Sequence, residues 1–331
     1  MNLAFRLLLW VLLLSVPALN EARAQDKARD ETSETLSAVV KVKSRILPNA
    51  RSAEFLGMAR EGSGVLIRDN LVLTIGYLVI EAESIEVTAG DGRAVPATLA
   101  GYDHATGFGV LRLVAPIGGK PLALGDSGQL AERDPVMVAT YGGREGVSLA
   151  YVVSRRPFAG SWEYMLDAAI YTYPPVMNWS GAALIGPKGD LLGIGSLIVA
   201  DAMIPGTQSP GNLFVPVDIL KPILDELVDK GRAGPARPWL GMSTEELRGR
   251  LFVSRVSPDG PAARAGLRRG DILVGVGNEE VTSLADFYKK VWARGPAGVE
   301  VPLKVLQGTQ VREIGVRSID RFEYFRARPT F

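Results

Sequence analysis

Residues 62–79 read GSGVLIRDNLVLTIGYLV. Two short apolar runs, Gly64-Val65-Leu66-Ile67 and Leu71-Val72-Leu73-Thr74, flank Asp69-Asn70, a turn-forming pair. Runs of that length bounded by turn residues read as strands. The pattern recurs outward in Ile85-Glu86-Val87, Gly109-Val110-Leu111-Arg112-Leu113, Pro135-Val136-Met137-Val138-Ala139 and Leu191-Leu192-Gly193-Ile194, with Lys188-Gly189-Asp190 as a further turn. Short strands at regular spacing imply a sandwich or barrel, so the expected fold class is mainly β.

A chain of 331 residues has room for about two domains. The formal net charge of +1 leaves no basic field, so nucleic acid is not an expected partner. The absence of cysteine removes disulfides, thiol catalysis and thiolate metal sites together. With a single histidine, His104, no metal site and no cofactor are expected.

The first 24 residues read as a secretory signal. Arg6 supplies the positive start, and Leu7 to Leu19 is an apolar run shorter than the ~20 residues a membrane span needs. Ala22-Arg23-Ala24 is a small-x-small cleavage site. The expectation is a periplasmic or secreted protein with no stable membrane span after cleavage. Polar residues 25–36 read as a flexible leader, and 37–231 as the first domain. That domain closes on a helix over 217–230, with Ile219, Leu220, Ile223, Leu224, Leu227 and Val228 at helical spacing, Asp218 as its cap and Gly231 as its stop. Residues 232–237 form a Pro/Gly-containing linker, 238–320 a second, smaller domain with a helix near Ser283–Ala293, and 321–331 a basic-aromatic tail.

Gly62-Ser63-Gly64-Val65-Leu66-Ile67, the aspartate-turn segment from Gly101 to Leu113, Leu122-Ala123-Leu124-Gly125-Asp126-Ser127 and Phe214-Val215-Pro216-Val217 resemble the HtrA/DegP family. So does the second domain, through Pro238-Trp239-Leu240-Gly241-Met242, Val256-Ser257-Pro258-Asp259-Gly260-Pro261-Ala262 and Ala265-Gly266-Leu267-Arg268-Arg269-Gly270-Asp271. The resemblance implies a chymotrypsin-like double β-barrel followed by a PDZ domain, a β-sandwich with helices. It also implies a serine endopeptidase, with Ser180 at the nucleophile position of the loop Asn178-Trp179-Ser180-Gly181-Ala182-Ala183. Tyr77 stands where the family has its catalytic histidine, and Gly107 where it has its aspartate. The oxyanion loop falls on Asn178, Trp179 and Gly181.

A serine hydroxyl without a base is a poor nucleophile at neutral pH, and losing triad members lowers the rate by orders of magnitude. Tyrosine, with a reference pKa of ~10, accepts protons poorly at pH 7. Asn178 can adopt left-handed geometry, which would let the loop form. His104 reads as a surface turn residue, the alternative being a substitute base. A Ser180–Lys188 dyad is disfavoured because Lys188 lies beyond a strand.

The PDZ resemblance implies peptide binding by strand addition. It assigns the carboxylate loop to Trp239, Leu240, Gly241 and Met242, with Phe287 and Val291 as groove wall or core. The leading functional expectation is therefore an inactive HtrA-like adaptor, chaperone or regulator binding unfolded or C-terminal peptides. It would be a homo-oligomer or a mixed oligomer with an active relative. The alternatives are an active serine endopeptidase with an unusual base, and an envelope scaffold subunit.

Overall fold

The computed structural model describes residues 30–325. The signal segment, the start of the leader and the end of the tail lie outside the described residues. Strands β1 (Val39–Ile46), β2 (Ala59–Arg68), β3 (Leu71–Ile75), β4 (Ala82–Thr88), β5 (Ala94–Tyr102) and β6 (Phe108–Leu113) close into a first barrel. Strands β7 (Pro135–Ala139), β8 (Val147–Gly160), β9 (Tyr164–Tyr173), β10 (Ala183–Ile185), β11 (Leu191–Val199) and β12 (Gly211–Pro216) close into a second. A third unit is a sheet in the order β13 (Met242–Leu247), β14 (Arg250–Val256), β15 (Ile272–Val276), β17 (Glu300–Gln307) and β18 (Gln310–Arg317). The short β16 (Glu279–Glu280) pairs with β15, and the main helix is Leu284–Trp292. The fold is mainly β, as the strand spacing implies.

The quoted stretch forms β2 and β3, with Val65 opposite Leu73 and Leu66 opposite Val72 around the Asp69-Asn70 turn. All five β3 residues are buried, because the strand lies between β2 and β6 in a closed barrel with no free edge.

Two expectations change. Residues 30–36, read as part of a flexible leader, are helical, and Leu36 is buried in the first barrel's core. The helix expected over 217–230 is split into a 3-10 turn at Val217–Ile219 and an α-helix at Leu224–Lys230. Pro222 brings no N–H and its ring disfavours α geometry at Lys221, which separates the pieces. Asp218 does not cap a helix. Its carboxylate accepts from the Gly128 N–H (2.6 Å) and from Lys221 Nζ (2.5 Å). Gly231 ends the helix as expected, at φ +76° with its N–H on the Leu227 carbonyl.

The third unit is fastened to the barrels. Arg51 Nη1 donates to the Pro258 carbonyl at 2.9 Å, Arg255 lies over the Phe55 ring, and Arg232 pairs with Asp320 at 3.0 Å. Met165, from the second barrel, is buried in the third unit's core.

Candidate functional site

The loop carrying Ser180 is held by the first barrel. The Ser180 carbonyl accepts from the Ser63 N–H at 2.8 Å, and Thr74 Oγ1 donates to the Ser63 carbonyl at 2.7 Å. A Cβ on Gly62 would come within 2.6 Å of that Ser180 carbonyl, and one on Gly181 within 1.9 Å of the Ser63 carbonyl. Glycine at these two positions is what allows the barrel strand and the loop to touch. The left-handed residue of the loop is Gly181, at φ +73°, rather than Asn178, which is exposed. The Gly181 N–H donates to Gly195, and the Trp179 carbonyl accepts from Ala182.

The structure brings Tyr77 to Ser180. The Tyr77 hydroxyl lies 2.8 Å from Ser180 Oγ and 2.9 Å from the Ser196 carbonyl oxygen. In both contacts Tyr77 is the donor, its single proton shared between Ser180 Oγ and the Ser196 carbonyl. The group beside the serine oxygen is therefore a proton donor where a base would have to accept. Burial pushes the Tyr77 pKa up to about 12, and hydrogen bonds with the Ser180 and Trp179 side chains pull it back only in part.

Gly107 is also on this cleft, at φ +81°, in a backbone region that L side chains avoid. A Cβ there would meet the Tyr164 hydroxyl at 3.2 Å. Tyr164 is buried, and its hydroxyl donates to the Thr106 carbonyl at 2.7 Å. The space next to the acid position thus belongs to a second tyrosine, which the sequence pattern does not reveal. Asp103 is committed to its own turn, accepting from the Thr106 N–H (2.8 Å) and Thr106 Oγ1 (2.6 Å).

His104 is neither a surface residue nor a base for Ser180. Its ring lies 4.4 Å from Tyr102, 4.4 Å from Phe322 and 5.8 Å from Phe325, centroid to centroid. Both ring nitrogens are shut from solvent and neither has a hydrogen-bond partner. Burial, with Arg321 nearby, holds its pKa well below the usual histidine range. The ring packs as a neutral aromatic. Lys188 is exposed on the turn between β10 and β11 and makes no dyad.

In the third unit, the Leu240, Gly241 and Met242 N–H groups converge on one carboxylate. Trp239 does not join them: its N–H donates to the Ile319 carbonyl at 3.1 Å, and its ring packs on Tyr324. Phe287 and Val291 are each 1% exposed and belong to the domain core. The helix residue that reaches across the groove is Tyr288, whose hydroxyl donates to the Gly160 carbonyl at 2.7 Å. No cluster of ligating side chains that could hold a metal occurs among the described residues.

Between the Ser180 cleft and the third unit lies a cavity of about 550 Å³, lined mainly by apolar groups including Tyr77, Trp179, Leu197, Phe55, Trp162 and Phe325.

Two closed barrels with Ser180 on their shared cleft, followed by a six-strand unit with a carboxylate loop, define a trypsin-like peptidase fold joined to a PDZ domain. The chain matches the Trypsin-like peptidase domain family over residues 62–194 and the PDZ domain family over 252–307. These two matches give the chain the architecture of one trypsin-like domain followed by one PDZ domain, and relatives with serine endoprotease names are similar to it along most of its length. Serine endoprotease DegS of Escherichia coli K12 is 27% identical over 338 aligned positions, covering 90% of each chain. Periplasmic pH-dependent serine endoprotease DegQ of the same strain is 28% identical over 287 positions, covering 82% of this chain. The chain spans 61% of that relative's length. Among solved structures, an HtrA-type protease AlgW with decapeptide superposes with a TM-score of 0.55 at 21% identity, over 90% of this chain and 98% of that one. The serine endoprotease from Yersinia pestis gives 0.52 at 23%, over 88% and 97%. At these identities the structural likeness is one of fold.

Proposed function

We propose that this chain is a catalytically silent HtrA-type protein that works in the periplasm by binding exposed or C-terminal peptide segments. The observation that carries the reading is the Tyr77–Ser180 contact: a phenol occupies the base position and donates to the serine oxygen instead of accepting its proton. With a pKa of about 12, only about one Tyr77 in 10⁵ is ionised at pH 7, so the serine has no working base. The blocked position beside Gly107 and the neutral, packed His104 add to this. The apolar cavity at the cleft and the carboxylate loop at Leu240–Met242 suit extended, apolar, carboxylate-ended ligands. The role would be that of an adaptor, chaperone or regulator in envelope protein quality control, as a homo-oligomer or mixed with an active relative.

The test is labelling of the mature protein with a fluorophosphonate probe and incubation with casein, beside Ser180→Ala. We expect no Ser180-dependent labelling or cleavage from pH 6 to pH 8. Ser180-dependent cleavage in that range would overturn silence. A second reading, an active endopeptidase, has the retained Ser180 and the endoprotease relatives in its favour. With Tyr77 as base, its rate would climb steeply towards pH 12, and this separates the two readings.

A further inference from the structure

The PDZ carboxylate loop already holds a carboxylate, and it comes from the same chain. Glu163 sits in the turn between β8 and β9, on the protease-fold side. Its Oε2 accepts from the Leu240 N–H at 2.8 Å, and its Oε1 from Gly241 at 2.7 Å and Met242 at 3.1 Å. Gly241 is at φ +77°, which turns successive N–H groups towards one point and makes an anion cradle. Glu163 itself is 7% exposed and left-handed at φ +57°, a conformation uncommon for a residue with a side chain.

The backbone of the turn completes the likeness to a bound peptide. The Ser161 carbonyl accepts from the Thr244 N–H at 2.9 Å, a ladder-type bond to β13. β13 is an edge strand, paired only with β14, so it is open to an added strand. From the helix side, the Tyr288 hydroxyl donates to the Gly160 carbonyl and accepts from the Glu163 N–H at 3.1 Å. Ala159 and Met165 flank the turn and pack on the PDZ core. A peptide C-terminus would use the same three N–H groups and the same strand edge.

We propose that residues 160–163 are an internal ligand of the PDZ groove, with the Glu163 side chain imitating a terminal carboxylate, and that a peptide with a free C-terminus binds only by displacing this turn. The proposal rests on the peptide-binding reading of the groove. A tethered ligand competes at an effective concentration set by its tether, in the millimolar range for short ones. The apparent affinity for a free peptide falls by the fraction of molecules with the groove open. The fastenings at Arg51, Arg255 and Arg232 do not involve the turn, so the domains stay attached when it leaves.

The experiment uses the mature protein and its Glu163→Ala and Glu163→Gln variants, each checked for native circular dichroism. Amide hydrogen exchange at residues 240–242 reads the internal contact directly. Titration with a fluorescein-labelled decapeptide ending in an apolar residue, as free acid and as amide, reads the competition. We expect faster exchange at 240–242 in both variants and a gain of about tenfold or more in affinity for the free acid alone. Unchanged exchange in both variants overturns the internal contact. Equal peptide affinity in wild type and variants overturns the competition while leaving peptide binding intact. Faster exchange with no peptide bound by any of the three overturns the groove's ligand reading, and displacement with it.

Discussion

A phenol in place of an imidazole changes the fate of one proton. Histidine would take the Ser180 proton and pass it on, whereas Tyr77 already donates to Ser196 and at neutral pH has no tendency to become a cation. Restoring the base alone should not restore the site, because the acid position is obstructed. Gly107 is left-handed, and its side chain would start 3.2 Å from the Tyr164 hydroxyl. We therefore expect Tyr77→His/Gly107→Asp to remain without detectable casein cleavage. In urea unfolding, Gly107→Asp alone should lose about 1–2 kcal/mol, from the positive φ and the tyrosine contact. Adding Tyr164→Phe, which removes the nearest oxygen, should recover part of that loss. Cleavage by the double variant would show that the Gly107 neighbourhood yields more easily than its geometry implies. Tyr77, Gly107 and Ser180 were legible in sequence because each lies at a fixed offset within a local motif. Tyr164 was not, because it reaches Gly107 from a strand more than fifty residues away, and nothing in its own segment records that contact.

At the scale of elements, the β8–β9 turn joins both halves of the molecule: Tyr164 faces the barrel cleft and Glu163, one residue earlier, faces the PDZ loop. Its behaviour should depend on pH. Burial raises the Glu163 pKa from 4.5 to about 7, outweighing the three N–H bonds and Arg321, which act in the opposite direction. The other titratable groups facing it are Tyr288, whose own pKa is raised above the phenol range, and His104 across the neighbouring space, neutral throughout. With the turn displaced, Glu163 returns to an ordinary carboxylate value. Between 4.5 and 7 the docked state therefore keeps a proton that the displaced state releases. Docking is favoured most below that window and weakens as pH rises through it. A free peptide's terminal carboxylate is already ionised there. Apparent peptide affinity should rise about tenfold or more from pH 5 to pH 8, and Glu163→Gln should flatten the profile. A wild-type profile that is flat, or that falls with pH, contradicts this. No sequence signal marked Glu163 as a ligand, since an acidic residue in a tight turn is ordinary. The carboxylate loop was legible, apart from Trp239, because its N–H groups follow one another in the chain. The split of the 217–230 segment is not legible in its apolar spacing, which persists through Pro222 although the backbone hydrogen bonds do not.

At the scale of the whole molecule, strand pattern and family motifs gave two barrels and a PDZ unit, but not how firmly the units are joined. Repeated short strands specify local pairing, whereas a contact between domains depends on single side chains far apart in sequence. Here Met165 is part of the PDZ core, and a barrel carboxylate satisfies three PDZ N–H groups. Such sharing makes unfolding cooperative across the boundary, because neither unit can open without exposing groups that the other satisfies. Wild type should therefore melt as one calorimetric transition. Glu163→Ala leaves three N–H groups without their carboxylate, a loss of roughly 2 kcal/mol borne mainly by the smaller unit. For a domain of that size this corresponds to a fall of about 10 °C in its midpoint. The variant should thus show two transitions, the PDZ unit melting first and the barrels near the wild-type temperature. A single transition that moves as a whole would mean that Met165 and the arginine fastenings couple the units without Glu163. Two transitions already present in wild type would mean that the turn is too weakly docked to couple them.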